Sequence, residues 1–341
     1  MIVLIGVLLG TFFFFWCISK LHVPFSSQFI ILIMILIMGL RYNVGRDYPT
    51  YETIYNEPFS YPAMAVEPIW NFINDILRYI GFKSQIFFFL TSLVTLIGFY
   101  RGIKKMSPCF YTSLFLFFVS GVYFESSNIV RQYVAMSLLF CGFSDFLNKK
   151  WLHYLAWVLV AAIFHASVIL IVPLILLSTY HYSKWVIGGI WIISFIMGNV
   201  VLNYLIVHFF PFLYDVGSYQ YKVDDFDSGI SSGMLRLFYN ILALLMLILY
   251  SKYSFVDRKV YVLTNMFLLG IIIYNVCYIF MPARRLYLYF FPYLIVILPY
   301  YLKRFEKVSR WVVMSSICAV FLAFLLKSNI GLQYDCNLNF F

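Results

Sequence analysis

Charge is what this sequence has least of. Only 11% of its 341 residues are Asp, Glu, Lys or Arg, against roughly 25% in an ordinary soluble domain. Acidic residues are the scarcer sign, 14 against 24 basic, for a net charge of +10. So little charge, in a chain that is 63% apolar, excludes a soluble globule, a disordered chain and a nucleic-acid-binding domain. Paired cysteines are missing too. Cys17, Cys109, Cys141, Cys277, Cys318 and Cys336 form no C-x-x-C, and five of them lie in apolar runs, which argues against a disulfide framework or a zinc site. There is no H-E-x-x-H and no metal-ligand spacing, so no metal is expected. A phosphate-cradling G-x-x-x-x-G-K-[ST] and a G-x-S-x-G nucleophile turn are both absent, which excludes a nucleotide-driven pump and a serine hydrolase elbow. Residues 1–19 lack a basic leader and a small-residue cleavage site, so no cleavable signal is expected. The apolar runs do not alternate with polar residues, which excludes a transmembrane β-barrel.

What the sequence has is long apolar runs. A helix needs about 20 apolar residues to cross a bilayer. Full spans are expected near 1–19, 26–40, 84–103, 109–124, 129–147, 184–200, 234–252, 260–280, 285–302 and 311–327. The run 151–180 is too long for one span and too short for two. With His165 near its middle, it reads as a re-entrant or broken helix pair meeting near Phe164-His165. The fold class is therefore an all-α polytopic membrane protein: one transmembrane domain, 1–341, with about ten full spans plus that pair. Two long loops, about 41–83 and 201–233, share one face.

Basic residues set the orientation. If 151–180 returns to its starting side, one face collects Lys20, Arg101, Lys104, Lys105, Lys149, Lys150, Lys184, Lys252, Arg258, Lys259, Lys303, Arg304, Lys307 and Arg310, with only Asp145, Asp257 and Glu306 beside them. That face is inside, and both ends and both long loops are outside. Lysine dominates the inner set. The outer basic residues are mostly arginines: Arg41, Arg46, Arg78, Arg131, Arg236, Arg284 and Arg285. Orientation alone does not sort arginine from lysine. Phosphate recognition does, because a guanidinium fork matches phosphate oxygens bidentately; salt bridges to Asp47, Glu52 or Glu67 are the plainer alternative.

The outer face also holds most of the residues able to carry chemistry. Loop one opens with Arg41, Arg46, Asp47, Tyr48 and Tyr51, and continues through Glu67 into an amphipathic helix over 65–82 that contains Trp70. Its tyrosines suit either an interfacial aromatic belt or a sugar-stacking platform. Arg131 and Gln132 stand in the first turns of an apolar helix, where an arginine either snorkels or faces the bundle interior. His165 alone among the histidines lies deep in an apolar run. Imidazole there is a candidate general base, or a tie between two broken helices. Arg284 and Arg285 open the span that carries Tyr289, and adjacent helix positions point about 100° apart, so one of the two faces the interior.

Four of these stretches resemble the Wzy-type polysaccharide polymerases, and within them the EpsG-like branch. They are Gly39-Leu40-Arg41-Tyr42-Asn43-Val44-Gly45-Arg46-Asp47-Tyr48 with Tyr51; Glu67-Pro68-Ile69-Trp70; Ile129-Val130-Arg131-Gln132-Tyr133-Val134-Ala135; and Phe164-His165-Ala166-Ser167 to Pro173. Arg46 replaces a small polar residue of that pattern. The resemblance implies an inverting glycosyl transfer at the outer face of the bacterial inner (cytoplasmic) membrane. The donor would be a glycan on a polyprenyl diphosphate and the acceptor a lipid-linked repeat unit, with membrane lipids around them, no cofactor and no nucleic acid; a chain-length regulator is a candidate partner. In this reading His165, Asp47 or Glu67 is the base. Arg131 and Arg284 or Arg285 grip the donor diphosphate. Arg41 orients the loop or holds the second diphosphate. Arg46, Gln132 and Tyr289 join the binding set, and Tyr48, Tyr51 and Trp70 hold sugar. A glycan ligase or a lipid-linked oligosaccharide flippase is the alternative.

Overall fold

A computed structural model describes residues 25–57, 67–209, 229–253, 257–278 and 281–327, together with Gly6, Gly10, Phe13, Cys17, Asp335, Cys336, Leu338 and Phe340. Most of the expected first span, and most of the second long loop with its acidic stretch, lie outside the described residues. In chain order, the first helices are α1 (Ser26–Gly39), α2 (Tyr48–Asn56), α3 (Pro68–Ile80), α4 (Gln85–Met106), α5 (Phe110–Val119), α6 (Val122–Glu125), α7 (Val130–Leu147), α8 (Trp151–Phe164) and α9 (Val168–Leu177). They are followed by α10 (Lys184–Phe209), α11 (Gly229–Tyr253), α12 (Arg258–Val276), α13 (Met281–Arg284), a 3-10 turn (Arg285–Tyr289), α14 (Tyr293–Leu302) and α15 (Lys307–Lys327). One two-stranded antiparallel pair joins β1 (Arg41–Tyr42) to β2 (Asp335–Cys336), with Arg41 opposite Cys336 and Tyr42 opposite Asp335.

Among the described residues, four helices are long and apolar enough to cross a membrane: Gln85–Met106, Gly233–Tyr250, Arg258–Val276 and Lys307–Lys327. Six further apolar helices are shorter. Several expected spans are therefore interrupted. The run 109–124 breaks after Val119, where Gly121 takes a left-handed φ of 85°. The run 285–302 starts as a 3-10 turn and breaks before Pro292, which has no N–H to give the helix. The run 151–180 divides at Phe164–Ser167, with His165 extended at φ −158°, ψ 113°.

The chain forms two compact units, residues 1–170 with 302–341, and residues 171–301. In the first, α4 is the spine. Gly98 and Gly102 lie one turn apart on it, and a Cβ at either would come within 2.9 Å of a carbonyl of α7, that of Ser137 or Phe140. The two backbones therefore touch. Helices in lipid gain little from burying apolar surface, so close packing at small residues is what holds them. Phe99, buried beside this seam, packs against Phe117, Tyr133 and Phe140. The β1–β2 pair brings the segment beyond α15 to the face where α1 ends and α4 begins. There the Lys83 amide donates to the Phe340 carbonyl (2.8 Å), and the Phe340 ring meets Phe89 edge-on.

In the second unit, Asn265 on α12 donates to the carbonyls of Ser178 and Tyr180, both at 2.9 Å, and the Tyr250 hydroxyl donates to Tyr182. These bonds place Lys184 at the end of the unit that carries Arg258 and Lys259. Asn275 and Arg284 belong to the other end, about three turns away along α12. Within this unit the basic residues sort as their sequence order implies.

Candidate active site

The site is assembled from three separate pieces of the first unit. Glu67 stands at the N-cap of α3 with φ −59° and ψ 136°, the extended backbone that a following proline imposes. Arg131 is in the first turn of α7, and His165 occupies the break between α8 and α9. The Glu67 carboxylate joins the other two. Its Oε2 accepts from Arg131 Nη1 at 2.5 Å and its Oε1 accepts from His165 Nδ1 at 2.5 Å. Side-chain exposures of 17% for Glu67, 23% for Arg131 and 25% for His165 leave the group half-buried, open enough to meet a ligand.

Burial pushes the Glu67 carboxyl up. The hydrogen bond from His165 and the charge of Arg131 outweigh it and hold the group below the usual carboxylate range. Glu67 is therefore an anion, which can only accept. As an acceptor it takes the proton on Nδ1 and leaves Nε2 as the ring nitrogen that the carboxylate does not engage. Arg131 has a second support in Tyr51, whose side chain hydrogen-bonds it.

The His165 break is itself held. Trp70 Nε1 donates to the Phe164 carbonyl at 2.9 Å, satisfying one of the acceptors left open where α8 ends. The Trp70 indole lies between Phe87 and Phe164. Helix α3 thus delivers Glu67 from its N-cap and, from its first turn, props the Phe164 carbonyl just ahead of His165. Its other side is apolar and exposed at Phe72, Ile76, Tyr79 and Ile80, as suits a helix lying on a lipid surface.

A scan of family models matches the EpsG family over residues 24–341. The chain belongs to the EpsG family. Comparison with curated proteins and with solved structures returns no match. EpsG membership and the apolar helices make this a multi-pass membrane protein, of a family associated with glycosyltransferase-like polysaccharide polymerases.

The other residues that the EpsG-like motifs pointed to have varied positions. Arg41 is 1% exposed. It donates to the Met38 carbonyl (2.5 Å), to Ser92 Oγ (3.2 Å) and to the Ser127 carbonyl (3.2 Å), and its guanidinium lies 5.0 Å from the Phe88 ring. That burial favours orienting the loop over gripping a diphosphate. Gly45 turns the loop at φ 102°, and a side chain there would collide with Asn128. Asn128 Oδ1 in turn accepts from the Arg46 amide at 2.8 Å, while the Arg46 side chain is exposed. Asp47 is half-buried at the start of α2.

Tyr48, Tyr51 and Trp70 are 1%, 7% and 3% exposed, with Tyr48 stacked on Phe88 and Tyr51 against Phe87. Their rings form the apolar floor under the site, in place of the open sugar platform expected from sequence. Gln132 is buried within α7. Arg284, Arg285 and Tyr289 belong to the second unit. There Arg284 donates to the Tyr278 carbonyl, Arg285 is half-exposed and Tyr289 is buried. Sequence reasoning gave no role to Ser92, which accepts from the Arg41 guanidinium, or to Gln85 and Asn128, which fix the loop backbone. Gln85 donates to the carbonyls of Gly39 and Arg41, and its place at the start of a span was the signal available.

Proposed function

We propose that this chain is a polysaccharide polymerase working on two lipid-linked substrates at the outer face of the cytoplasmic membrane. The observation that carries the reading is the single carboxylate of Glu67 holding an imidazole and a guanidinium side by side. His165 Nε2 takes the proton from a hydroxyl of the acceptor repeat unit. The hydroxyl oxygen forms a bond to the anomeric carbon of the donor glycan as the bond from that carbon to the polyprenyl diphosphate breaks, with inversion. Arg131 meets the charge that develops on the departing diphosphate, where a positioned cation is worth most. Glu67 is a positioning residue: it orients the imidazole and compensates Arg131 between turnovers. Tyr51, Trp70 and Arg41 keep these groups in place.

The experiment is elongation of a purified lipid-linked repeat unit by the full-length protein in bilayer discs. His165→Ala lowers the rate by about 10²–10⁴-fold, the usual loss on removing a positioned base. Arg131→Ala does likewise, with expression and membrane insertion unchanged. Wild-type rates in both variants reject the site. Transfer to an unrelated lipid in preference to a second repeat unit identifies a ligase.

A further inference from the structure

The second unit contains another arginine centre, built around Arg236, which the sequence placed only within the set of outer arginines. Arg236 on α11 and Arg284 at the end of α13 address the same ring, with guanidinium carbons 4.7 Å and 5.8 Å from the centroid of Tyr278. Arg236 also lies 4.9 Å from the centroid of Phe195. Aromatic faces hold a guanidinium in place while leaving its edge N–H groups available.

The mounting of Arg236 is elaborate. Its Nε donates to Asn275 Oδ1 (3.3 Å) and its Nη2 to the Phe195 carbonyl (2.7 Å). Asn275 is fully buried and paired with Asn240. Each amide donates to the other's oxygen, at 2.8 Å and 3.0 Å. Asn240 also accepts from Trp191 Nε1 (2.8 Å), and Asn275 donates to Ser194 Oγ (3.3 Å). Gly198 lets α10 approach the Asn275 carbonyl to a distance that no side chain permits. An asparagine pair satisfied this fully inside an apolar bundle fixes geometry, since a half-satisfied one is costly there.

The charge is what lacks a counterpart. Among the described residues, neither Arg236 nor Arg284 meets a carboxylate; their partners are carbonyls, an amide oxygen and rings. Both guanidinium groups are half-buried and address one ring, so an anion that their remaining N–H groups reach would offset the cost of burying them. A guanidinium has five N–H donors, and these bonds use two on Arg236 and one on Arg284.

We propose that Arg236 and Arg284 form a phosphate seat in the second unit that takes the phosphate or diphosphate group of a lipid. The seat deepens the polymerase reading by giving a second lipid-linked substrate its own anion site, and it rests on that reading only for the identity of the lipid. Arg284, and not Arg285, is the member of that pair that belongs to it.

Native mass spectrometry of the full-length protein, titrated with farnesyl diphosphate, tests the seat. Wild type binds two diphosphates per chain, one at Arg131 and one here. Arg236→Gln and Arg284→Gln each weaken one binding event by about tenfold or more, as loss of a charge-assisted hydrogen bond implies. Arg285→Gln leaves both events intact. Arg284→Gln touches only the Tyr278 carbonyl and ring, so its loss of binding does not report misfolding. Undiminished binding in both seat variants overturns the proposal. Competition by inorganic pyrophosphate alone, or by phosphatidylglycerol in the discs, separates a free phosphate or a bulk lipid headgroup from a lipid-linked diphosphate. Displacement by pyrophosphate with no requirement for a lipid chain overturns the lipid assignment. No elongation by the wild-type protein would sink the polymerase reading and leave this binding result standing.

Discussion

The role proposed for Glu67 needs it ionised, and that sets an acid limit on the site. Its carboxyl titrates below the usual carboxylate range in the folded protein. The stabilisation it brings is therefore complete above the unfolded-chain pKa of about 4.3 and is lost as pH falls through the lower folded value. Thermal melting followed down through that window shows the loss, and Glu67→Gln flattens the acid limb while reducing stability at neutral pH. Trp70→Phe is a finer probe. It keeps the ring and removes the bond to the Phe164 carbonyl, at a cost of about 1 kcal/mol. A lower turnover number with an unchanged KM is the expected signature, because His165 is displaced and no substrate contact is removed. Arg131 and His165 were legible in the sequence because polar residues are conspicuous against apolar surroundings, and Glu67 through the EpsG-like motif. That one carboxylate serves both was not, since the partners lie far apart in the chain. The fate of Tyr48, Tyr51 and Trp70 was equally hidden, because an aromatic residue near a membrane surface has the same signature whether it faces water, lipid or a packed floor.

Helix packing makes its own demands. The seam between α4 and α7 needs Gly98 and Gly102, and α7 carries Arg131. Gly98→Leu forces the helices apart and costs roughly 1–3 kcal/mol, a typical overpacking penalty. A melting scan of the variant in bilayer discs shows the drop, whereas the same change at Gly188, where a side chain would meet open space, leaves the melting temperature in place. Run length told where apolar helices lie but overstated how many are unbroken. Hydropathy averaged along the chain does not register a left-handed Gly121 or the missing N–H of Pro292. The interruption at His165 was readable, because a polar residue and a small-residue step interrupt the run there together.

At the scale of the molecule, the composition alone excluded soluble classes, and the arginine and lysine sorting implied two faces. The strand pairing of Arg41–Tyr42 with Asp335–Cys336 had no sequence signal, since two-residue strands carry no period to read. It holds the chain just ahead of α2, and the adjoining Leu338 and Phe340 line an open apolar groove with Leu36, Leu40, Phe82, Ile86 and Phe89. Truncation after Lys327 removes both. Hydrogen exchange at residues 41–48 then rises, and polymer synthesis falls while membrane insertion is unaffected. The same pairing also fixes an order of events during biosynthesis. Arg41 emerges early from the ribosome and Cys336 after the last long helix has been threaded, so this clasp closes late. A nascent chain can therefore sit fully inserted in the bilayer with the loop ahead of α2 still unclasped, until its tail folds back.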